Sequence, residues 1–126
     1  AEIMKLSGTA GHVFTLERMA SLAKNAREVI ERTGYNDLVT VIVSDGTLGY
    51  PGEAPYDRIL VTAAAPRAPK ALLDQLAEGG IMLIPIGDMH GYQVLHEITK
   101  VKGRIIQKDL CGVSFVPLIG EDGFSQ

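Results

Sequence analysis

Residues 41 to 66 read VIVSDGTLGYPGEAPYDRILVTAAAP, and this stretch decides the fold. Its first strand, Leu38 to Val43, is apolar at almost every position, as expected of a parallel strand with helices over both faces. The strand stops at Ser44, Asp45 and Gly46. After a loop rich in Gly and Pro, Tyr56 to Thr62 forms a second strand-like run that ends at Ala63, Ala64, Ala65 and Pro66.

Working outward, the same alternation continues on both sides. Upstream, His12 to Leu16 reads as a short strand that stops at Glu17 and Arg18. Met19, Leu22, Ala23, Ala26, Val29 and Ile30 then recur at helical intervals, and Glu28 and Arg32 stand four apart as an ion pair. Gly34 suits the helix C-terminus. Downstream, Pro69 suits the first turn of a helix carrying Leu72, Leu73 and Leu76, closed by Gly79 and Gly80. Ile81 to Ile86 reads as the next strand. Gln93 to Val101 and Arg104 to Leu110, joined by Lys102 and Gly103, read as a hairpin, with a last short run at Val113 to Val116. The whole predicts a single domain over 1–126, an α/β sheet that is mostly parallel, with a C-terminal antiparallel hairpin at one edge.

Composition narrows the function classes. The 46% hydrophobic content of these 126 residues suffices for one buried core. No apolar run approaches the roughly 20 residues of a membrane-spanning helix, and no signal-peptide pattern is visible, so the chain reads as cytoplasmic. A net charge of −3 with scattered Lys and Arg argues against nucleic acid and for small-molecule or protein partners. The single cysteine, Cys111, is expected to be a buried structural thiol. His12, His90 and His96 share no metal-ligand spacing and are assigned no role, and no metal is expected.

Ligands of open parallel sheets bind beyond the carboxyl ends of the strands, which directs attention to three places. Glu17 offers two acceptor oxygens that suit the hydroxyls of a ribose, or else a carboxylate that favours a helix start. Asp45 can accept from an exocyclic amine such as that of adenine, and Gly46 lets a flat ring approach the backbone; alone, Asp-Gly is more often a turn. Thr62 to Pro66 carries no group for acid-base work, only backbone and space. GxGxxG, the P-loop, GxSxG and HExxH are all absent, so these residues support a binding fold without naming a reaction.

Four blocks carry a family resemblance: GHVFTLER at 11 to 18, the 41 to 66 stretch, LLDQLAEGGIMLIPIG at 72 to 87 and VSFVPL at 113 to 118. Together they resemble protein-L-isoaspartate O-methyltransferases over nearly the whole chain. The resemblance implies a class I S-adenosylmethionine-dependent, Rossmann-like fold. It implies that Glu17 holds the cofactor ribose and that Asp45 and Gly46 border its adenine. On the substrate side it implies Thr62, Ala63, Ala64, Ala65, Pro66, Gln93, Val116, Pro117 and Leu118 near an isoaspartyl peptide, with the last three approaching as extended backbone. In this family S-adenosylmethionine methylates the α-carboxylate of an L-isoaspartyl residue in damaged proteins and peptides, and the ester decays through a succinimide toward aspartate. No residue is expected to act as a catalytic acid or base.

The family's glycine-rich cofactor loop and a Ser/Thr-bearing segment are not among these residues, so the chain reads as an N-terminally truncated, C-terminal portion. The absent strand would lie between those ending at Glu17 and Thr62, which leaves two unpaired edges. These residues alone are therefore expected to be inactive. A non-catalytic peptide-binding remnant of the same fold stands as one alternative and an NAD-dependent oxidoreductase as another.

Overall fold

The structure, a computed structural model, describes all of residues 1–126. The backbone forms two compact units, Ala1–Gly46 and Thr47–Gln126.

The first unit contains α1 (Glu2–Ser7), β1 (Val13–Glu17), α2 (Ala20–Arg32) and β2 (Val39–Val43). The two strands pair in parallel, from Val13 opposite Val39 to Glu17 opposite Val43. The end of α2 follows from Gly34, whose φ of 78° suits a residue without Cβ. There the Tyr35 amide donates to the Ile30 carbonyl and the Gly34 amide to that of Glu31, each at 3.0 Å. These two bonds satisfy carbonyls that a bare helix end would leave unpaired. Of the expected apolar face of α2 only Ala23 is fully buried, while Met19, Leu22 and Val29 are each nearly half exposed. A two-stranded sheet is too narrow to cover such a face. The Arg27 guanidinium instead reaches the Val41 carbonyl at 2.9 Å. Glu28 pairs with Lys24 at 3.9 Å rather than with Arg32, an exposed contact of small energetic weight.

In the second unit β3 (Tyr56–Leu60), α3 (Lys70–Gln75), β4 (Leu76–Gly87), β5 (Gln93–Val101) and β6 (Arg104–Val113) follow one another. They build a four-stranded sheet in the order β3-β4-β5-β6. The β3–β4 pairing is parallel and the other two are antiparallel. Val61, Ala65, Leu72, Leu76, Met82, Ile84 and Ile98 make the core under α3.

Three expectations need correction here. Gly79 and Gly80 do not close α3, which ends at Gln75; they lie inside β4, where Leu76 already pairs with Tyr56. The register shifts between Tyr56 and Arg58, and Gly79 takes a φ of 74° within that irregularity. A Cβ on Gly80 would come within 2.7 Å of the Ala77 carbonyl oxygen, so the glycines serve this irregularity of the strand, not a helix stop. Val113 to Val116 is not a strand of its own: Val113 ends β6 and the chain then leaves the sheet. Cys111 is exposed, because β6 is the last strand of its sheet and every residue from Arg104 to Gly112 is open to solvent. The hairpin stands as expected, with φ of 50° at Lys102 and 71° at Gly103, the turn geometry that follows strand twist. Both oxygens of Glu78 accept amides of this turn, Lys102 and Gly103.

Candidate functional site: two strand-end clusters

At the carboxyl end of the first unit's sheet, parallel register brings the three expected cofactor residues together. Glu17 lies opposite Val43, and the Ser44 amide donates to the Glu17 carbonyl at 3.2 Å. Asp45 and Gly46 follow directly on this ladder. The Glu17 side chain points to the start of α2, where its Oε1 accepts the Met19 amide at 2.9 Å. One carboxylate oxygen thus serves the helix start, and a carboxylate has a second with lone pairs of its own. Ser44, which the sequence did not single out, has a buried hydroxyl oxygen with no hydrogen-bond partner. A buried polar atom without a partner is unfavourable unless a ligand or solvent satisfies it. Nothing in the sequence marks it beyond its place beside Asp45.

The second unit gathers the expected substrate-side residues by a different device. Beyond β3, the chain at Thr62 to Pro66 is stitched on both sides. Ala65 bonds to β4, its amide donating to the Pro85 carbonyl at 2.9 Å and its carbonyl accepting the Gly87 amide at 3.0 Å. Ala64 bonds to the C-terminal segment, its amide donating to the Val116 carbonyl at 2.8 Å and its carbonyl accepting the Leu118 amide at 2.7 Å. Both alanines are fully buried, while Thr62 and Pro66 on either side are exposed. Because both side chains are fully enclosed, a larger residue at Ala64 or Ala65 displaces packed neighbours. Pro117 therefore sits opposite Ala64 in a parallel bridge, and Val116 presents its side chain outward at 70% exposure.

Gln93, at the start of β5, is only 3% exposed. Its side-chain oxygen accepts the Phe115 amide at 2.7 Å, and its side-chain nitrogen donates to the Phe115 carbonyl at 3.0 Å. The residue expected near substrate thus fixes the backbone just before Val116. An open cleft of about 470 Å³ lies alongside, lined by Met89, His90, Gly91, Gln93, Ser114, Phe115, Val116 and Pro117. Of these, Met89, His90, Gly91, Ser114 and Phe115 were not picked out from the sequence. Met89, His90 and Gly91 lie in a loop without periodicity and Ser114 and Phe115 in the short run at 113 to 116, and only the topology brings the two segments to one cleft.

Elsewhere, His96 is buried and its Nδ1 lies 2.9 Å from an Asp109 oxygen and 3.0 Å from the Gln107 amide nitrogen. His12 contacts the Thr40 hydroxyl at 2.7 Å. No group of three His, Cys, Asp or Glu is arranged to hold a metal. Tyr56 donates its hydroxyl hydrogen to the Tyr50 carbonyl, and burial, reinforced by Glu53 and Tyr50, pushes its phenol above the usual range.

Parallel strand–helix–strand pairs in each unit and an antiparallel hairpin on the four-stranded sheet fit the class I methyltransferase type of α/β fold. The chain belongs to the protein-L-isoaspartate(D-aspartate) O-methyltransferase family, whose family model matches residues 1–123. A protein-L-isoaspartate O-methyltransferase of Ignicoccus hospitalis is 53% identical over 122 residues, covering 97% of this chain and 57% of that protein. One from Methanopyrus kandleri is 50% identical, covering 100% of this chain and 56% of its own length. The chain thus spans a little over half the length of these curated relatives. Among solved structures, a protein-L-isoaspartate O-methyltransferase from Plasmodium falciparum, in complex with S-adenosyl-L-homocysteine, is 35% identical with a TM-score of 0.75, over 86% of this chain and 52% of that one. Another protein-L-isoaspartate O-methyltransferase is 26% identical with a TM-score of 0.85, over 96% of this chain and 38% of that one.

Proposed function

We propose that this chain contributes the nucleoside side and the peptide side of an S-adenosylmethionine-dependent protein-L-isoaspartate O-methyltransferase, acting on isoaspartyl residues of damaged proteins and peptides. The observation that carries the reading is the stitched arrangement of Ala64, Pro117 and Gln93, which leaves extended backbone and an exposed Val116 beside an open cleft. Extended backbone is what an extended peptide ligand pairs with. Family membership supplies the reaction.

The residues at the end of the first sheet fit the cofactor's nucleoside. Glu17 has acceptor capacity for ribose hydroxyls, Asp45 can accept from the adenine amine, and the unpartnered Ser44 hydroxyl calls for a polar neighbour. When bound, S-adenosylmethionine supplies an electrophilic methyl group on a sulfonium. The substrate α-carboxylate, with a pKa near about 4, is already ionised at neutral pH and needs no base. The lack of a His or Cys dyad at Thr62 to Pro66 is therefore no argument against transfer. The work left to these residues is orientation of the peptide and exclusion of water from two charges that neutralise on reaction.

No helix is long and apolar enough to cross a membrane. A single thiol, exposed and unable to pair within the chain, suits the reducing cytoplasm, which we propose as its location.

Calorimetry tests the reading: two peptides of one sequence, one with isoaspartate and one with aspartate, are titrated into the chain with S-adenosylhomocysteine present. Tighter binding of the isoaspartyl peptide is expected. Equal affinity for both peptides, or binding of neither, contradicts it.

A further inference from the structure

Asp122, in the turn after the substrate-side segment, makes three separate attachments. One carboxylate oxygen accepts the Lys70 amide at 2.9 Å, at the first residue of α3, and the other pairs with the Arg67 guanidinium. Its own amide donates to the Thr47 hydroxyl oxygen at 3.1 Å, and Thr47 is fully buried. The turn that carries Asp122 is itself closed: the Phe124 amide donates to the Leu118 carbonyl at 2.8 Å and the Gly123 amide to that of Gly120 at 3.2 Å. Leu118 is the residue whose amide bonds to Ala64.

We infer that Asp122 is a positioning residue for the peptide substrate, a latch that holds the extended Val116–Leu118 backbone in register against Ala64; this rests on the peptide-binding role proposed above. Two fixed points define that register. Gln93 grips the chain before Val116, and the Asp122 turn grips it after Leu118. With only the first, a short extended segment at the edge of the unit is free to fray, since an isolated bridge of two hydrogen bonds offsets little chain entropy. The attachment uses chemistry suited to the place. A carboxylate at a helix start satisfies an amide that the helix leaves unpaired and is favoured by the helix dipole. Gly123 belongs to the same latch, because a Cβ there would lie 2.3 Å from the Leu118 carbonyl oxygen and 3.0 Å from Thr47 Cγ2.

The contact with Arg67 is exposed on the arginine side and carries less of the effect than the capping bond. That distinction separates the variants. Asp122→Asn keeps an oxygen for the Lys70 amide and loses only the ion pair, whereas Asp122→Ala loses both. Gly123→Ala disturbs Leu118 without touching the carboxylate.

The experiment measures isoaspartyl-peptide and S-adenosylhomocysteine affinity for wild type and the three variants, with amide exchange at Leu118 and Phe124 followed in parallel. Peptide affinity is expected to fall roughly tenfold in Asp122→Ala and Gly123→Ala and about threefold in Asp122→Asn, with S-adenosylhomocysteine affinity unchanged. Exchange at Leu118 quickens in the same order. Wild-type peptide affinity in folded Asp122→Ala and Gly123→Ala overturns the inference. If Asp122→Ala does not fold, unchanged affinity in Asp122→Asn and Gly123→Ala overturns it equally. A wild-type chain that binds no isoaspartyl peptide contradicts the functional reading itself and removes both.

Discussion

Gln93 holds Phe115 by both polar groups of its backbone, accepting the amide at 2.7 Å and donating to the carbonyl at 3.0 Å. A side-chain amide is the one neutral group able to imitate a strand partner in this way, because it carries an acceptor and a donor side by side. The pair takes over where β6 ends at Val113 and keeps the following residues attached to β5 without a sheet ladder.

Replacement of Gln93 therefore leaves the Phe115 backbone groups unpaired in a half-buried place. Gln93→Leu, similar in size, is expected to cost about 1–3 kcal/mol, read as a lower urea midpoint at unchanged slope. A variant as stable as wild type speaks against the clamp.

Glu17 caps the start of α2 and, under the proposed function, also holds a ribose. Glu17→Gln keeps an oxygen for the Met19 amide but loses the charge and one acceptor, so α2 persists in circular dichroism while S-adenosylhomocysteine affinity drops about tenfold or more. If only the helix role exists, titration shows no change.

In the core of the second unit, Ile84 and Ile98 are fully buried on neighbouring strands. Ile98→Ala opens a cavity and is expected to destabilise by about 2–5 kcal/mol in thermal or denaturant unfolding. A cost below about 1 kcal/mol means that the sheet collapses around the site.

Tyr56 sets an alkaline limit. Its phenol is raised by burial and by Glu53 and Tyr50, so the neutral form is favoured when folded. That contribution is fully present below the ordinary phenol value of about 10 and is lost as pH rises through the raised folded value. Stability is expected to decline from about pH 10 up to the raised folded value, and Tyr56→Phe, which cannot ionise, declines less steeply. Identical alkaline profiles contradict this assignment.

Most of the architecture was legible in the sequence because the periods are clean. The apolar run at 38 to 43, the Gly34 stop and the Lys102-Gly103 turn each carry one dominant local signal, and each stands where the sequence puts it. Gly79 and Gly80 misled because a glycine pair signals a helix end and a strand bulge alike, and only pairing of Leu76 with Tyr56 separates them. The exposure of Cys111 was invisible for a related reason: β6 alternates no more clearly than a buried strand, and its edge position is a property of strand order. Glu17, Asp45 and Gly46 stand at the ends of β1 and β2 and Thr62 to Pro66 just beyond β3, while Gln93 starts β5 and Val116 to Leu118 lie outside the strands. What the sequence could not give was the manner of gathering, since Gln93 to Phe115 and Asp122 to Lys70 are side-chain to backbone bonds across 22 and 52 residues.

The end of the β1–β2 sheet is proposed to take the nucleoside and the Ala64–Pro117 region the peptide. The most direct measurement is backbone amide NMR of the labelled chain, titrated separately with S-adenosylhomocysteine and with an isoaspartyl peptide. The first ligand is expected to shift Glu17, Ser44, Asp45 and Gly46, and the second Ala63, Ala64, Val116 and Leu118. Saturating shifts confined to other residues, or no shift with either ligand in a folded chain, would contradict it.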